Sequence, residues 1–246
     1  MNLKTTWRYI PLLEASGHTQ MAIDQWLLEK HSQGLHPPTL RFYTWSPVAI
    51  SLGYHQRRYP TRWHEITWQG QPLDMVRRPT GGRAVLHQGD LTYMVVCSGF
   101  SGTLSQVYQQ ICEFLIRGWR SLGVELHYGQ ASRSYFEQPN CFATSTNADL
   151  VDQYNNKLIG SAQFRRENAI LQHGSILLNP DSDLFKQVFN TSPSLQLPFT
   201  TINSETILTI TNALLHAAFQ CFNIKFITQP LSALEWQEIK SLDNQL

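Results

Sequence analysis

Residues 77–87 read Arg77-Arg78-Pro79-Thr80-Gly81-Gly82-Arg83-Ala84-Val85-Leu86-His87. The two arginines close a short strand-like run, Asp74-Met75-Val76, and an alternating run from Ala84 to Val96 follows the glycines. Paired glycines adopt backbone angles that other residues avoid, and they let a ligand approach the main chain closely. A Gly-Gly turn between basic residues and two strands therefore indicates a cradle for an acyl or phosphoryl group. The same pattern is typical of a plain hairpin with solvated arginines, and spacing alone favours that simpler interpretation.

The composition is that of an ordinary globular protein. The chain has 246 residues, of which 42% are hydrophobic and 15% charged, so it can bury a core in one large domain or two small ones. Its net charge of +1 argues against a general nucleic-acid binder, which usually carries a basic face. No apolar run approaches the ~20 residues of a membrane span. We therefore expect a cytoplasmic protein that binds neither nucleic acid nor membrane.

The four cysteines, Cys97, Cys112, Cys141 and Cys221, are widely spaced and include no Cys-x-x-Cys pair. This spacing predicts free thiols in a reducing compartment rather than a disulfide framework. Cys97 and Cys112 fall on apolar faces of a predicted strand and helix, so we expect them in the core, and Cys221 is also assigned to packing. The histidine and cysteine spacings form no ligand set, so neither a metal nor another cofactor is expected.

Apolar periodicity predicts a mixture of helices and strands along the chain. Long helices are predicted over 21–31, 104–123 and 204–222, the first capped by Thr19 and ended by Gly34. Short helices are predicted over 183–189 and 234–240. Strands are predicted at 7–13, 40–45, 48–52, 91–96, 124–128, 148–153, 157–164, 169–178 and 224–227. Clustered strands with helices between and around them predict an α+β fold built on a mixed sheet.

Three polar features in the second half of the chain are candidates for chemistry. Cys141 lies in Asn140-Cys141-Phe142, Lys157 follows the turn Asn155-Asn156, and His173-Gly174 interrupts an apolar run. Each has an ordinary alternative, namely a buried thiol, a solvated lysine or a satisfied core histidine. Together they fit a metal-free acyl-transfer site, because a cysteine nucleophile needs a nearby base or cation and a lysine can serve as either.

Several blocks of the chain, in the same order, resemble the biotin/lipoate protein ligase and octanoyltransferase superfamily. The blocks are Met21–Leu28, Ile50–Gln56, Arg77–His87, Lys157–Gln163 and Ile170–Ser175. The resemblance implies a class II synthetase-like catalytic fold, with a mixed, largely antiparallel sheet flanked by helices. It also implies one catalytic domain over residues 1–246, with an acyl-transfer core at about 21–178 and a C-terminal extension over 183–246.

Within the superfamily, the chain is most similar to the LipM-type octanoyltransferases, which carry a catalytic cysteine before a Lys-x-x-Gly-Ser-Ala block. Cys141 occupies that position, so the resemblance makes Cys141 the nucleophile and Lys157 its partner. ATP-using lipoate ligases usually have a third glycine where this chain has Arg83, which argues against adenylation. The resemblance places the acyl slot against Arg77, Arg78, Thr80, Gly81, Gly82, Arg83, His87, Gly160, Ser161, Ala162, His173 and Gly174.

The resemblance implies that an octanoyl group moves from acyl carrier protein to Cys141, and then to a lysine of a lipoyl domain or of glycine-cleavage H protein. ATP would not be needed, because exchanging one thioester for another is close to neutral and forming an amide from a thioester is downhill. Three alternatives stay open: an ATP-dependent lipoate or octanoate ligase, an amidotransferase that moves octanoyl between lipoyl domains, and a non-catalytic module that docks carrier domains. A monomer is expected.

Overall fold

A mixed eight-stranded sheet forms the centre of the computed structural model, which describes residues 5–129, 149–193 and 197–243. The strands, in chain order, are β1 (Thr5–Ala15), β2 (Thr39–Trp45), β3 (Ala49–Leu52), β4 (Thr67–Trp68), β5 (Gln71–Pro72), β6 (Asp74–Arg77), β7 (Val85–His87), β8 (Asp90–Cys97), β9 (His127–Tyr128), β10 (Leu150–Val151), β11 (Lys157–Arg166), β12 (Ala169–Leu177) and β13 (Ile224–Thr228). The helices are α1 (Gly17–Ser32), α2 (Leu104–Ser121), α3 (Ser182–Phe189), α4 (Ser204–Cys221) and α5 (Ala233–Asp243). None of these helices combines the length and the apolar character that a membrane crossing requires.

The large sheet has the strand order β13-β1-β2-β8-β12-β11-β10-β9. Strand β1 runs parallel to both β13 and β2, and every other neighbouring pair is antiparallel. The predicted α+β fold with a mixed, largely antiparallel sheet is therefore confirmed. The sheet's central strands, β8 and β12, are buried along their whole length.

Helices cover both faces of the sheet. Because side chains alternate along a strand, β8 sends Leu91, Tyr93 and Val95 to one face and Met94 and Val96 to the other. The first set joins the core under α2 and α4, while the second joins the core under α1 and α5. The predicted helices over 104–123 and 204–222 supply the first of these layers.

A small three-stranded sheet lies beside the large one and carries the glycine turn. Strand β3 lies in its centre, parallel to β6 and antiparallel to β7. The strands on either side of Gly81-Gly82 therefore pair with β3 and not with each other. The hairpin interpretation of this stretch is wrong, and the turn is instead a connection that crosses the end of β3.

Several sequence predictions need correction in detail. Ser16, rather than Thr19, caps α1, since its hydroxyl accepts a hydrogen bond from the Thr19 backbone N–H. The alternating run from 84 to 96 is split between two sheets at Gly89, whose φ is 66° and where a Cβ would overlap the Asn179 carbonyl. The strand predicted over 124–128 is limited to β9. Leu104 is 62% exposed, unlike most apolar residues of α2, because it is the first residue of that helix.

Candidate active site

A cavity of about 270 Å³ lies between the glycine turn, β11 and β12. This volume is close to the lower end of the ~300–1,000 Å³ range of small-molecule pockets. Its apolar wall includes Met21, Tyr43, Trp45, Val85 and Leu104. The cavity brings together nine of the twelve residues predicted to bind substrate, namely Arg78, Gly81, Gly82, His87, Gly160, Ser161, Ala162, His173 and Gly174. The other three, Arg77, Thr80 and Arg83, are outside its lining.

Arg78 holds the glycine turn in shape. Its guanidinium donates to the backbone carbonyls of Ser51 at 2.8 Å, Gly81 at 2.9 Å and Arg83 at 2.7 Å. The side chain is 6% exposed, so the expectation of a solvated arginine is wrong at this position. Gly53 lies so close to the turn that a Cβ there would overlap the Gly82 carbonyl. The turn is therefore built before any ligand arrives.

Arg77 has a different position from Arg78, although the two are adjacent in sequence. It is exposed and donates to the carbonyls of Gly53 at 2.8 Å and Gln56 at 2.9 Å. These bonds fix the loop after β3, which itself contacts the turn through a hydrogen bond from the Tyr54 N–H to the Thr80 carbonyl. Arg77 supports the rim of the site rather than the slot.

His173 connects the turn to α1. Its Nδ1 is 2.8 Å from Asp24 Oδ2, and its Nε2 is 2.7 Å from Thr80 Oγ1. Because an ionised carboxylate only accepts hydrogen bonds, Nδ1 carries a proton. Burial raises the pKa of Asp24, but the charge of Arg41 and the hydrogen bonds from His173 and Arg41 outweigh it and hold this pKa below its ordinary value.

His87 is held in a similar way on the other side of the turn. Its Nδ1 is 2.8 Å from Asp90 Oδ2, its Nε2 is 2.8 Å from Ser51 Oγ, and its ring stacks on Trp45 with centroids 3.8 Å apart. Burial lowers the pKa of His87, and Arg78 adds to this, although Asp90 acts in the opposite direction. The ring is therefore neutral at pH 7, and it accepts from the Ser51 hydroxyl.

Gly174 keeps the slot open where β11 and β12 pair. It lies opposite Ser161, whose Oγ accepts from the Tyr93 hydroxyl at 2.8 Å. A Cβ at Gly174 would lie 2.6 Å from Ser161 Oγ and 2.7 Å from Tyr93 Cε1. Only a residue without a side chain fits this position without displacing the hydroxyl pair.

Lys157 forms a buried ion pair at the edge of this cavity. Its Nζ is 2.8 Å from Asp149 Oδ1, and the two side chains are each 4% exposed. Lys157 begins the same strand, β11, that presents Gly160, Ser161 and Ala162 to the cavity. Asp149 itself lines the cavity. The ordinary alternative of a solvated lysine is therefore wrong.

Comparison with known proteins identifies the family. The sequence profile of the lipoyl protein ligase A/B catalytic domain matches residues 16–214. The chain belongs to this family.

Two octanoyltransferases named LipM are similar over most of their length. The protein of Lysinibacillus sphaericus (strain C3-41) is 36% identical over 200 residues, which cover 76% of this chain and 71% of the relative. That of Kyrpidia tusciae (strain DSM 2912 / NBRC 15312 / T2) is 40% identical over 189 residues, which cover 72% and 68%. The crystal structure of lipoate-protein ligase A bound with ATP has a TM-score of 0.78 at 22% identity, over 98% of this chain and 95% of that one, and it shows the same fold. The predicted superfamily and the enzyme class, an acyltransferase, are confirmed.

Cys141, the nucleophile that the family resemblance implies, lies outside the described residues. The described cysteines are poor nucleophiles. Cys97 and Cys112 are fully buried, and burial raises the pKa of the Cys112 thiol to about 12 and that of Cys97 further. Cys221 is half-buried against the core, and burial also raises its pKa. No group of three or more potential metal-ligating side chains occurs in the described ranges.

Sequence reasoning missed the carboxylates that organise this family member's site. Asp24 is the one charged residue of the mainly apolar run Met21–Leu28 in α1, and Arg41 lies between Leu40 and Phe42 in β2. An isolated charge of each sign in two apolar segments is a signal of a buried pair, and these two side chains are 2.6 Å apart. Asp149 had a weaker signal, because it precedes a strand of only two residues.

Proposed function

We propose that the chain is an octanoyltransferase of protein lipoylation. The octanoyl group would pass from acyl carrier protein to a Cys141 thioester, and then to a lysine of a lipoyl domain or of glycine-cleavage H protein. The names of the LipM relatives support octanoyl transfer. The observation that carries the proposal is the buried Lys157–Asp149 pair beside a narrow cavity walled by glycines.

The cavity suits a medium-length acyl chain. Gly81, Gly82, Gly160 and Ala162 give it walls of backbone and small side chains, against which an alkyl chain can lie closely. Each CH₂ group that leaves water contributes about 0.8 kcal/mol, so an apolar slot of limited volume favours acyl groups that fill it. Gly174, where a Cβ has no room, would bound this slot on the β12 side.

In the first half-reaction, the Cys141 thiolate would attack the carbonyl carbon of the donor thioester. A new C–S bond forms, the bond to the carrier's sulfur breaks, and the carrier leaves as a thiol after taking up a proton. A thiol is only a few per cent ionised at neutral pH, so a nearby cation that favours the thiolate raises the rate. Lys157 is paired with a carboxylate, which favours its ammonium form and suits this role.

In the second half-reaction, the acceptor lysine would attack the acyl-enzyme. Its nitrogen forms the amide bond, the C–S bond to Cys141 breaks, and the nitrogen gives up two protons, one of which restores the thiol. The backbone N–H groups of the glycine turn would hold the negative oxygen of each tetrahedral intermediate. Removing one such donor costs on the order of 3 kcal/mol.

We also propose that residues 1–246 act as one catalytic domain, as a cytoplasmic monomer. The C-terminal part is built into the same sheet, because β13 pairs with β1. It is also fastened by Glu235, which binds the buried Arg8 at 2.6 Å. The extension over 183–246 therefore completes the fold that the core begins.

Mass spectrometry after mixing the enzyme with octanoyl carrier protein tests the proposal. The wild type should gain one octanoyl group that hydroxylamine removes, and Cys141→Ala should gain none. Cys221→Ala is the matched control, because that thiol is half-buried and should be dispensable. An adduct that survives in Cys141→Ala would refute the assignment.

A complete reaction with apo lipoyl domain, run with and without ATP, separates the alternatives. Octanoyl transfer that needs no ATP supports the proposal. A requirement for ATP with free octanoate, accompanied by pyrophosphate release, would instead establish a ligase. Preference for octanoylated H protein over octanoyl carrier protein as donor would establish an amidotransferase, and absence of any turnover would leave a docking module.

A further inference from the structure

We propose that Asp149 is a second catalytic group, which binds the ammonium of the incoming acceptor lysine and accepts its proton. The inference rests on the proposed octanoyl transfer and assigns a residue to its second half-reaction. Asp149 lines the cavity, its side chain is 4% exposed, and its Oδ1 is 2.8 Å from Lys157 Nζ. The carboxylate thus lies between the fixed lysine and the space where acyl transfer would occur.

The acceptor's chemistry requires such a group. A lysine side chain has an ordinary pKa of about 10.4, so it reaches the site as an ammonium without a lone pair. It must lose one proton as the N–C bond forms, and an unpaired cation is disfavoured in a buried cavity. The site therefore needs an anion that can receive both the charge and the proton.

Asp149 is the sole carboxylate among the described residues that line the cavity. The two lining histidines have both ring nitrogens within hydrogen-bond distance of other side chains: Asp24 and Thr80 for His173, Asp90 and Ser51 for His87. Arg78 is a cation held by backbone carbonyls. The lining chemistry thus leaves Asp149 as the group that matches an ammonium.

The Lys157 charge would make the incoming ammonium a stronger acid. A second ammonium placed next to the first is destabilised by repulsion, so the incoming amine releases its proton more readily there than in water. One proton moves from the acceptor nitrogen to Asp149 as the amide bond forms, and the other goes to the departing Cys141 sulfur. Asp149 then releases its proton to water, which restores the carboxylate for the next acceptor.

The experiment compares two acceptors on a preformed octanoyl-enzyme. Apo lipoyl domain offers a charged lysine, whereas hydroxylamine is mostly uncharged at neutral pH and has no proton to surrender before attack. We expect Asp149→Asn to lose roughly 100-fold or more in transfer to the lipoyl lysine, the usual contribution of a general base. Its discharge by hydroxylamine should stay near the wild-type rate.

Asp152→Asn is the matched control, since it makes the same change three residues further along. Asp152 is 7% exposed, accepts from the backbone N–H groups of Tyr154 and Asn156 at 2.8 Å, and is outside the cavity lining. An amide oxygen can accept both backbone bonds, and the Asn156 side chain, whose Nδ2 donates to Asp152 Oδ2 at 3.1 Å, can turn its amide oxygen toward the new NH₂ group. This variant should therefore keep the wild-type ratio of the two discharge rates. A loss of that ratio in Asp152→Asn would overturn the assignment to Asp149.

Equal losses with both acceptors in Asp149→Asn would mean that Asp149 only shapes the site, and unchanged rates with both would mean that it is idle. Either result overturns the inference. If circular dichroism shows that Asp149→Asn is unfolded, Asp149→Glu decides, because a displaced carboxylate should slow lysine transfer selectively. A wild type that never forms the octanoyl-enzyme would refute the proposed function itself, which is a distinct result.

Discussion

Asp24 and Asp149 are both buried carboxylates paired with a cation, yet they occupy different places in the molecule. Asp24 is fully buried in α1, where it accepts hydrogen bonds from Arg41, Tyr43 and His173, and it is outside the cavity lining. Asp149 is paired with Lys157 and lines the cavity. The first carboxylate can only organise its neighbours, whereas the second can also meet a ligand.

Loss of either ion pair should lower the stability of the fold, but the two losses should differ in their effect on catalysis. Replacing a buried ion pair by apolar groups often leaves the free energy of unfolding unchanged. Removing one partner leaves a buried charge uncompensated and lowers that free energy by about 3–5 kcal/mol. Both pairs should therefore be sensitive to substitution when the free energy of unfolding is measured. Only the pair at the cavity should change the rate of a chemical step in the protein that remains folded.

Lys157→Met should have the largest effect, because it removes the proposed catalytic cation, which is also the ion-pair partner of Asp149. We expect the rate of acyl-enzyme formation to fall by roughly 10²–10⁴-fold. The free energy of unfolding should fall by about 3–5 kcal/mol. Release of carrier thiol under single-turnover conditions, together with urea denaturation, measures the two losses. Lys157→Arg keeps a cation and should retain most of the stability, and normal acylation in Lys157→Met would contradict the role of the charge.

Asp24→Asn should match that loss of stability, about 3–5 kcal/mol, with a smaller effect on turnover of folded enzyme. The amide leaves the buried Arg41 without its counter-charge. It can also donate to His173 Nδ1, which would move the ring proton to Nε2 and oppose the bond from Thr80. Urea denaturation measures the first effect and ¹⁵N chemical shifts of the imidazole the second. An unchanged free energy of unfolding would contradict this account.

Gly174→Ala should cost about 1–3 kcal/mol of stability, which is typical of overpacking. The new methyl group would lie 2.6 Å from Ser161 Oγ and 2.7 Å from the Gly160 carbonyl oxygen, so β11 and β12 must shift. Thermal unfolding measures the cost. Gly81→Ala is the matched control for stability, because no atom lies within 4 Å of the position its Cβ would take. Equal melting temperatures for the two variants would contradict the close packing at Gly174.

Features that depend on local contacts could be predicted from the sequence, whereas those that depend on distant contacts could not. Helices α2 and α4 were predicted almost to the residue, because apolar spacing and capping are local properties of the chain. The separation of β7 from β8 into two sheets was not predicted. It depends on the close approach of Gly89 to Asn179, which are ninety positions apart and have no mutual signal in sequence.

The site was predicted in part for the same reason. The glycine turn and Lys157 each lie in a recognisable sequence block. Most of the residues that the resemblance predicts to bind substrate line the cavity. Asp24 and His173 hydrogen-bond across 149 positions, so each could be noticed as a polar residue in an apolar run without its partner being known. Asp149 depends on a fold that brings β10 against β11. That Cys141 and Lys157 act together stays a prediction, which the rate of acyl-enzyme formation in Lys157→Met tests.

Thr80→Val should have a smaller effect, about 1 kcal/mol of stability, because it removes a single hydrogen bond and keeps the shape of the side chain. The lost partner is His173 Nε2, 2.7 Å from the hydroxyl. Since that bond fixes the glycine turn, we expect KM for the acyl donor to rise more than kcat falls. Steady-state kinetics measure the split. Thr80→Ser keeps the hydroxyl and should behave as the wild type, and a kcat defect alone would contradict a positioning role.

The smallest effect should be the pH dependence that His87 contributes to stability. Burial lowers the folded-state pKa of His87, so between this pKa and the unfolded value of about 6.5 the unfolded chain binds more protons than the folded one. Stability contributed by the neutral ring is therefore complete above about pH 6.5 and is lost as the pH falls through that window. Melting temperatures of the wild type and His87→Gln across this range isolate the contribution, because His36, whose pKa burial also lowers, is present in both. The wild type should lose more stability on acidification than His87→Gln, and parallel curves would mean that the ring is not held neutral in the folded protein.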